Sequence, residues 1–178
     1  MKIITISGHA QNGKDTVAKL LSDKLREKQY RVLITHYADL LKYICQTFFN
    51  WDGAKDERGR HILQYVGTDI VRKEKPDFWV DFISEILKFF GTNWDYVIIP
   101  DLRFPNELGK LKSDGFAVTH LRIVRNNFTN LLSPEQQHHP SETALDGIQP
   151  DYLINNNGSL RDLDETISQW VKEYLNED

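Results

Sequence analysis

The chain has a single cysteine, Cys45, so no disulfide can form within it, and that usage suits a reducing compartment such as the cytoplasm. It has no long basic run, and its formal net charge is -4, so a binding surface for a nucleic-acid polymer has no electrostatic footprint. The opening apolar stretch stops at Gly8, too short for a signal peptide or a membrane span. There is no internal repeat and no low-complexity segment. What remains is an ordinary globular composition, 40% hydrophobic and 27% charged, in 178 residues. That length supports one compact domain spanning 1–178.

Periodicity gives the order of elements. Residues 3–7 are β-branched and read as a buried strand, 8–13 as a glycine-bounded loop, and Val17, Leu20, Leu21 and Leu25 as one face of a helix. A second strand is predicted over 31–37 and a helix over 38–49, closing a βαβ unit that implies a parallel sheet. Two helices should follow at about 60–73 and 78–90, then a strand over 96–100 buried on both faces, with Pro105 opening a short helix. Further strands are expected at 116–124 and 152–154, separated by the irregular, polar stretch 126–150, whose length suggests a functional lid-like segment. Ser159, with Asp162 three residues on, marks a capping box before a final helix.

Between the first strand and the first helix lies GHAQNGKDT, residues 8–16, which matches G-x-x-x-x-G-K. Glycines there let backbone N–H groups turn onto phosphate oxygens, the helix N-terminus adds partial positive charge, and Lys14 can reach the outer phosphates. Gly8, Ala10, Asn12, Gly13, Lys14, Asp15 and Thr16 are therefore candidate ATP-binding positions. The pattern departs at Asp15, where a hydroxyl usually ligates Mg²⁺; a carboxylate so near a triphosphate implies an intervening cation or, more plainly, a helix-start acid.

Asp101 ends the strand over 96–100 and so falls at the sheet's C-terminal edge, where a second metal-site carboxylate belongs. Arg103 suits bidentate contact with phosphate or a surface ion pair with Glu107. Arg60, Gln64, Thr68 and Arg72 recur every four residues, as either a solvated face or a binding stripe. No Lys or Arg occurs in 126–160, so a lid there cannot supply cations and Arg125 at its base is the better catalytic candidate. His138 and His139 read as exposed loop histidines, and Glu142 beside them as open in role. Phe48, Phe49 and Trp51 form either a homodimer interface or a covered edge of the core.

The stretches SGHAQNGKDTVA (7–18), YADLLK (37–42), LQYVGTDIVR (63–72), DFWV (77–80), DYVIIPDLRFPNE (95–107) and LINNNGSL (153–160) together resemble the deoxynucleoside monophosphate kinase family. The resemblance implies an α/β, three-layer P-loop NTPase fold with a mainly parallel central sheet between helices, ATP as donor, Mg²⁺ as cofactor and a small-molecule deoxynucleotide as acceptor. It places Lys14, Asp15 and Thr16 on phosphates and metal, Asp101 in the metal shell and Arg103 on phosphate. The acceptor pocket would draw on the helical region 38–92, with Asp39, Lys42, Arg60, Gln64, Asp69, Arg72, Trp79 and Arg103. Residues 155–158, Asn157 among them, would lie near the adenine. Rival readings are a kinase for another small phosphorylated acceptor, such as phosphomevalonate, and a nucleotide-binding switch without transferase activity; a polynucleotide end kinase is disfavoured by the missing basic groove.

Overall fold

The computed structural model describes residues 1–54, 56–126, 128 and 132–176. Five parallel strands, β1 (Lys2–Ser7), β2 (Val32–Ile34), β3 (Tyr96–Ile99), β4 (Ala117–Val124) and β5 (Tyr152–Asn155), form one sheet in the order β2-β3-β1-β4-β5. Alternation along each strand divides the core. Ile4, Ile6, Ile98, Leu121 and Ile123 pack against α1 (Lys14–Glu27) and α8 (Leu160–Leu175), while Ile3, Val97 and Ile99 face α4 (Phe78–Phe90) and α5 (Pro105–Ser113). This is the expected three-layer α/β architecture.

Two expectations shift. β1 and β2 are not neighbours, because β3 inserts between them; the sheet order therefore reverses at β1, and the crevices above the C-terminal ends of β1, β3 and β4 become the natural ligand site. β2 also stops at Ile34 rather than at residue 37. Beyond it the chain turns into α2 (Ala38–Phe48), and the backbone N–H groups of Tyr37 and Ala38 go to Asp101 rather than to a strand partner.

The helix expected over 60–73 is two structures. An α-helix, α3 (Glu57–Gln64), is capped by the Asp56 side chain accepting from Gly59 N–H, and it runs into a π-helical segment (Tyr65–Arg72). The looser winding lets the Gly67 carbonyl accept the Trp79 indole N–H at 3.0 Å, while Gly67 packs so closely on Leu41 that a Cβ would approach it to 2.7 Å. Within 126–150 the chain forms two short helices, α6 (Pro134–His138) and α7 (Pro140–Thr143), each opened by proline, the first with a Ser133–Gln136 capping box.

Trp51 is buried with its indole N–H on the Ala54 carbonyl, a covered edge of the core, while Phe48 and Phe49 beside it face solvent. A clearer exposed row lies on α4, where Phe82, Ile86, Phe89 and Phe90 line one side. Among the described residues no helix is long and apolar enough to cross a membrane.

Candidate functional site

The glycine loop is held from below by neighbouring strands. Gly8 has φ 143° and lies so close to β4 that a Cβ would sit 2.4 Å from the Ile123 carbonyl oxygen; only glycine fits. Asn12 turns its amide inward onto that same carbonyl at 3.1 Å, and the Asn156 amide donates to Asn12 O at 3.0 Å. The Asn12 side chain thus braces the loop against β4. Gly13, at φ 93°, starts α1 with no side chain capping it. A 14-residue helix so opened presents its N-terminus to anions.

Lys14 folds back over the loop, its Nζ donating to Gly8 O at 2.6 Å and His9 O at 2.9 Å. Burial, with help from the nearby Arg103 charge, lowers its pKa to about 7. Its charged form is poorly solvated there and would be favoured by an added anion.

The loop forms one wall of a cleft of about 450 Å³ at the C-terminal edge of the sheet. Of the residues singled out by sequence, Ala10, Lys14, Asp15, Lys42, Arg60, Gln64, Arg72, Trp79, Asp101 and Arg103 line it. Gly8, Asn12, Gly13 and Thr16 lie beneath or beside it. Asp39 is taken up by Lys42 at 2.8 Å and by His36, and Asp69 lies 3.8 Å from His139 Nε2. Arg125 follows β4 and does not line the cleft; its guanidinium stacks over the Phe128 ring at 4.5 Å. Asn157 accepts from Asn126 N–H at 2.7 Å, also outside the cleft.

The carboxylates have distinct duties. Asp101 accepts from Tyr37 N–H at 3.0 Å and Ala38 N–H at 2.9 Å, so it caps the start of α2 and ties that helix to β3. Burial raises its pKa, against the pull of His36 and those two N–H groups. The Asp15 side chain is 77% exposed at the cleft mouth, 3.4 Å from His36 Nε2. No group of three or more His, Cys, Asp or Glu side chains with metal-site geometry occurs among the described residues.

Two interactions had no prior assignment. Glu107 is 1% exposed and gathers Arg103 N–H, Phe104 N–H and the Arg72 guanidinium, the last at 2.8 Å. Burial pushes its pKa to about 7, while Arg72 opposes the rise. Arg72 stacks 4.0 Å over the Phe104 ring and donates to Pro76 O; its Nε has no partner among the described residues. The pairing of Arg103 with Glu107 imagined from spacing is thus made by the Arg103 backbone, and the guanidinium is elsewhere.

That guanidinium meets Glu142 and Ser141 O, both on α7. The other Glu142 oxygen accepts from Ala10 N–H of the glycine loop at 2.9 Å. The segment is further docked by Gln136 on Glu57 O, by Arg122 on Leu145 O and by the His139–Asp69 contact. His139 is consequently half-buried, with Nδ1 on Ser141 Oγ at 2.8 Å, and is not the exposed loop histidine expected; His138 is exposed. Proline and a capping box order the segment locally, whereas its contacts to residues more than 70 positions away leave no sequence signal.

A glycine loop between β1 and α1, a lysine over it and an acid after β3, on a parallel sheet wrapped by helices, define the phosphate-loop kinase fold. Solved structures agree: APS kinase CysC of Mycobacterium tuberculosis, in complex with AMPPNP and APS, superposes with a TM-score of 0.54 at 14% identity, covering 99% of this chain and 98% of that one. Shikimate kinase of Aquifex aeolicus gives 0.51 at 14% identity, covering 99% of each chain. The model of the deoxynucleotide monophosphate kinase family matches residues 51–167, and the chain belongs to that family. It is 31% identical over 115 residues to the deoxynucleotide monophosphate kinase of Enterobacteria phage T4, a match covering 64% of this chain and 45% of that protein. A putative deoxynucleotide monophosphate kinase of Acanthamoeba polyphaga mimivirus is 25% identical over 201 residues, covering 96% of each. The chain thus spans about half the length of the phage relative, and the family match begins beyond the glycine loop.

Proposed function

We propose that the protein transfers the γ-phosphoryl group of ATP to a deoxynucleoside monophosphate, giving ADP and the deoxynucleoside diphosphate. One observation carries this reading: the cleft places Lys14 and the loop N–H of Ala10 on one side and Arg103 on the other, around a single anion seat. A group passing in line between a donor phosphate on the loop and an acceptor phosphate across the cleft needs positive charge from both directions. No general base is required, because an acceptor phosphate is already an anionic nucleophile.

The acceptor's base and sugar would lie along Leu63, Gln64, Thr68 and Trp79, with Arg60, Arg72 and Lys42 as cations on the same walls. Trp79 serves there as a fixed wall, since its N–H is committed to Gly67 O.

The donor set suits Mg²⁺, which keeps several waters and takes one or two carboxylates besides phosphate oxygens. Asp15, exposed at the cleft mouth, would hold the ion, and Asp101, whose oxygens already accept two N–H groups, would reach it through water. When bound, the ion supplies neutralisation of phosphate charge.

Self-association belongs to the same reading. Two copies would pair through the exposed α4 row Phe82, Ile86 and Phe89, around which Lys88 is held by Glu85 and Asp114 of its own chain. Sedimentation of the native chain should show a dimer that Phe89→Glu splits; a monomer in both would remove this part.

The activity itself is tested by coupled ADP release with Mg-ATP and a panel of deoxynucleoside and nucleoside monophosphates. Release that depends on a deoxynucleotide supports the reading; release stimulated by none of them sinks it.

A further inference from the structure

The segment from α6 to α7 carries no lysine or arginine, yet it docks directly onto the cations of the cleft. It does so with a carboxylate. Glu142 is 6% exposed, with one oxygen on the Ala10 N–H at 2.9 Å and the other on the Arg103 guanidinium, and its charge acts on Lys14 as well. A backbone N–H of the glycine loop, an arginine and the loop lysine are the donors that a phosphoryl group asks for.

The place is specific along the donor chain. Ala10, Gln11, Lys14 and Asp15 line the cleft, and of these Ala10 gives its N–H to the Glu142 oxygen whose partner oxygen meets Arg103. Glu142 thus bridges the Ala10 N–H and Arg103, which follows β3. The phosphate nearest the acceptor is the one that would meet both.

We infer that Glu142 is a resident stand-in for the terminal phosphate, and that by competing for this seat it weakens ATP binding relative to ADP. This rests on the nucleotide-kinase reading above. A γ-phosphate and a buried carboxylate cannot share one seat, because two anions a few ångströms apart in a poorly hydrated cleft repel strongly. ATP must expel Glu142; ADP, ending one phosphate short, leaves it in place. After transfer the carboxylate reclaims Arg103 and Ala10 N–H, so the product ADP meets a loop whose outermost donors are already satisfied. Away from Arg103, which also holds Ser141 O, the segment is tied by Gln136 to the Glu57 carbonyl, by His139 to Asp69, by Leu145 O to Arg122 and by Asp146 to His9, so it can stay tethered while α7 swings.

The test measures affinities of AMPPNP and ADP, each with Mg²⁺, by calorimetry for the native protein, Glu142→Gln and Glu142→Ala. Removing one charge-assisted competitor should tighten AMPPNP about tenfold in both variants and leave ADP within about twofold. Hydrogen exchange on the native protein is the companion readout, independent of any variant. Residues 134–148 should exchange faster with AMPPNP and remain protected with ADP. Equal tightening of both nucleotides, no tightening of either, or the same exchange response to both would overturn the inference. The native protein separates the two levels: if AMPPNP fails to bind it at all, it is the kinase reading that has failed.

Discussion

Replacing His120 by Gln should abolish a specific dependence of stability on acid. The imidazole is 2% exposed, set between β1 and β5, with Nε2 2.7 Å from Ser7 Oγ and Nδ1 without a partner among the described residues. Burial, then the Arg122 charge, lowers its pKa from 6.5 to about 4 despite the opposing charge of Asp151. The unfolded chain then binds a proton that the folded one refuses, so the contribution of a neutral His120 is complete above pH 6.5 and is lost as pH falls toward 4. Each unit is worth about 1.4 kcal/mol, and after allowance for partial hydration of the ring the loss is about 2 kcal/mol. Glu107 works with the opposite sign. Its raised pKa means the folded state holds a proton that the unfolded state releases, so its contribution is present below 4.5 and lost as pH rises through about 7. The two partly cancel in the native protein, and the informative quantity is the difference between native and His120→Gln in urea unfolding from pH 4.5 to 7.5. That difference should move by about 2 kcal/mol in favour of the variant at the acid end. A difference independent of pH refutes the assignment.

Arg72→Met strands the Glu107 carboxylate in the core and should cost about 3–5 kcal/mol in urea unfolding at pH 8, with a much smaller loss at pH 5, where Glu107 can hold a proton. Gly8→Ala drives a methyl into the Ile123 carbonyl at a φ that alanine avoids; a nucleotide-binding assay should show the site lost, and thermal unfolding a destabilisation of about 2 kcal/mol or more. Asp101→Ala removes the acceptor of two N–H groups at the start of α2, and chemical unfolding should register about 1–2 kcal/mol.

The sequence carried the local features well. The strand, glycine loop and helix at the start, α4 from Phe78 to Phe90, the proline-led α5 and the Ser159 cap of α8 all depend on neighbours within a turn or two, and each forms where its pattern lies. Asp101 and Arg103 were legible because a buried strand must deliver its next residues to the C-terminal edge of the sheet. What stayed hidden depends on partners distant in sequence. Nothing near Asp101 says that both its oxygens cap a helix more than 60 residues earlier. Nothing around Glu142 announces Ala10, and the P-D-x-R-x-x-x-E spacing does not say that Arg72 answers Glu107. The π-helical segment escaped notice because its apolar spacing also satisfies an α-helix. Arg125, chosen by elimination, follows β4 and does not line the cleft.

The most direct test is to incubate the protein with Mg-ATP and a deoxynucleoside monophosphate and resolve all nucleotides by ion-exchange chromatography. The account expects ADP and the deoxynucleoside diphosphate to appear in equal amounts, with the yield lost in Lys14→Ala and cut at least a hundredfold in Arg103→Ala. ADP accompanied by inorganic phosphate alone, or undiminished transfer in both variants, would contradict it.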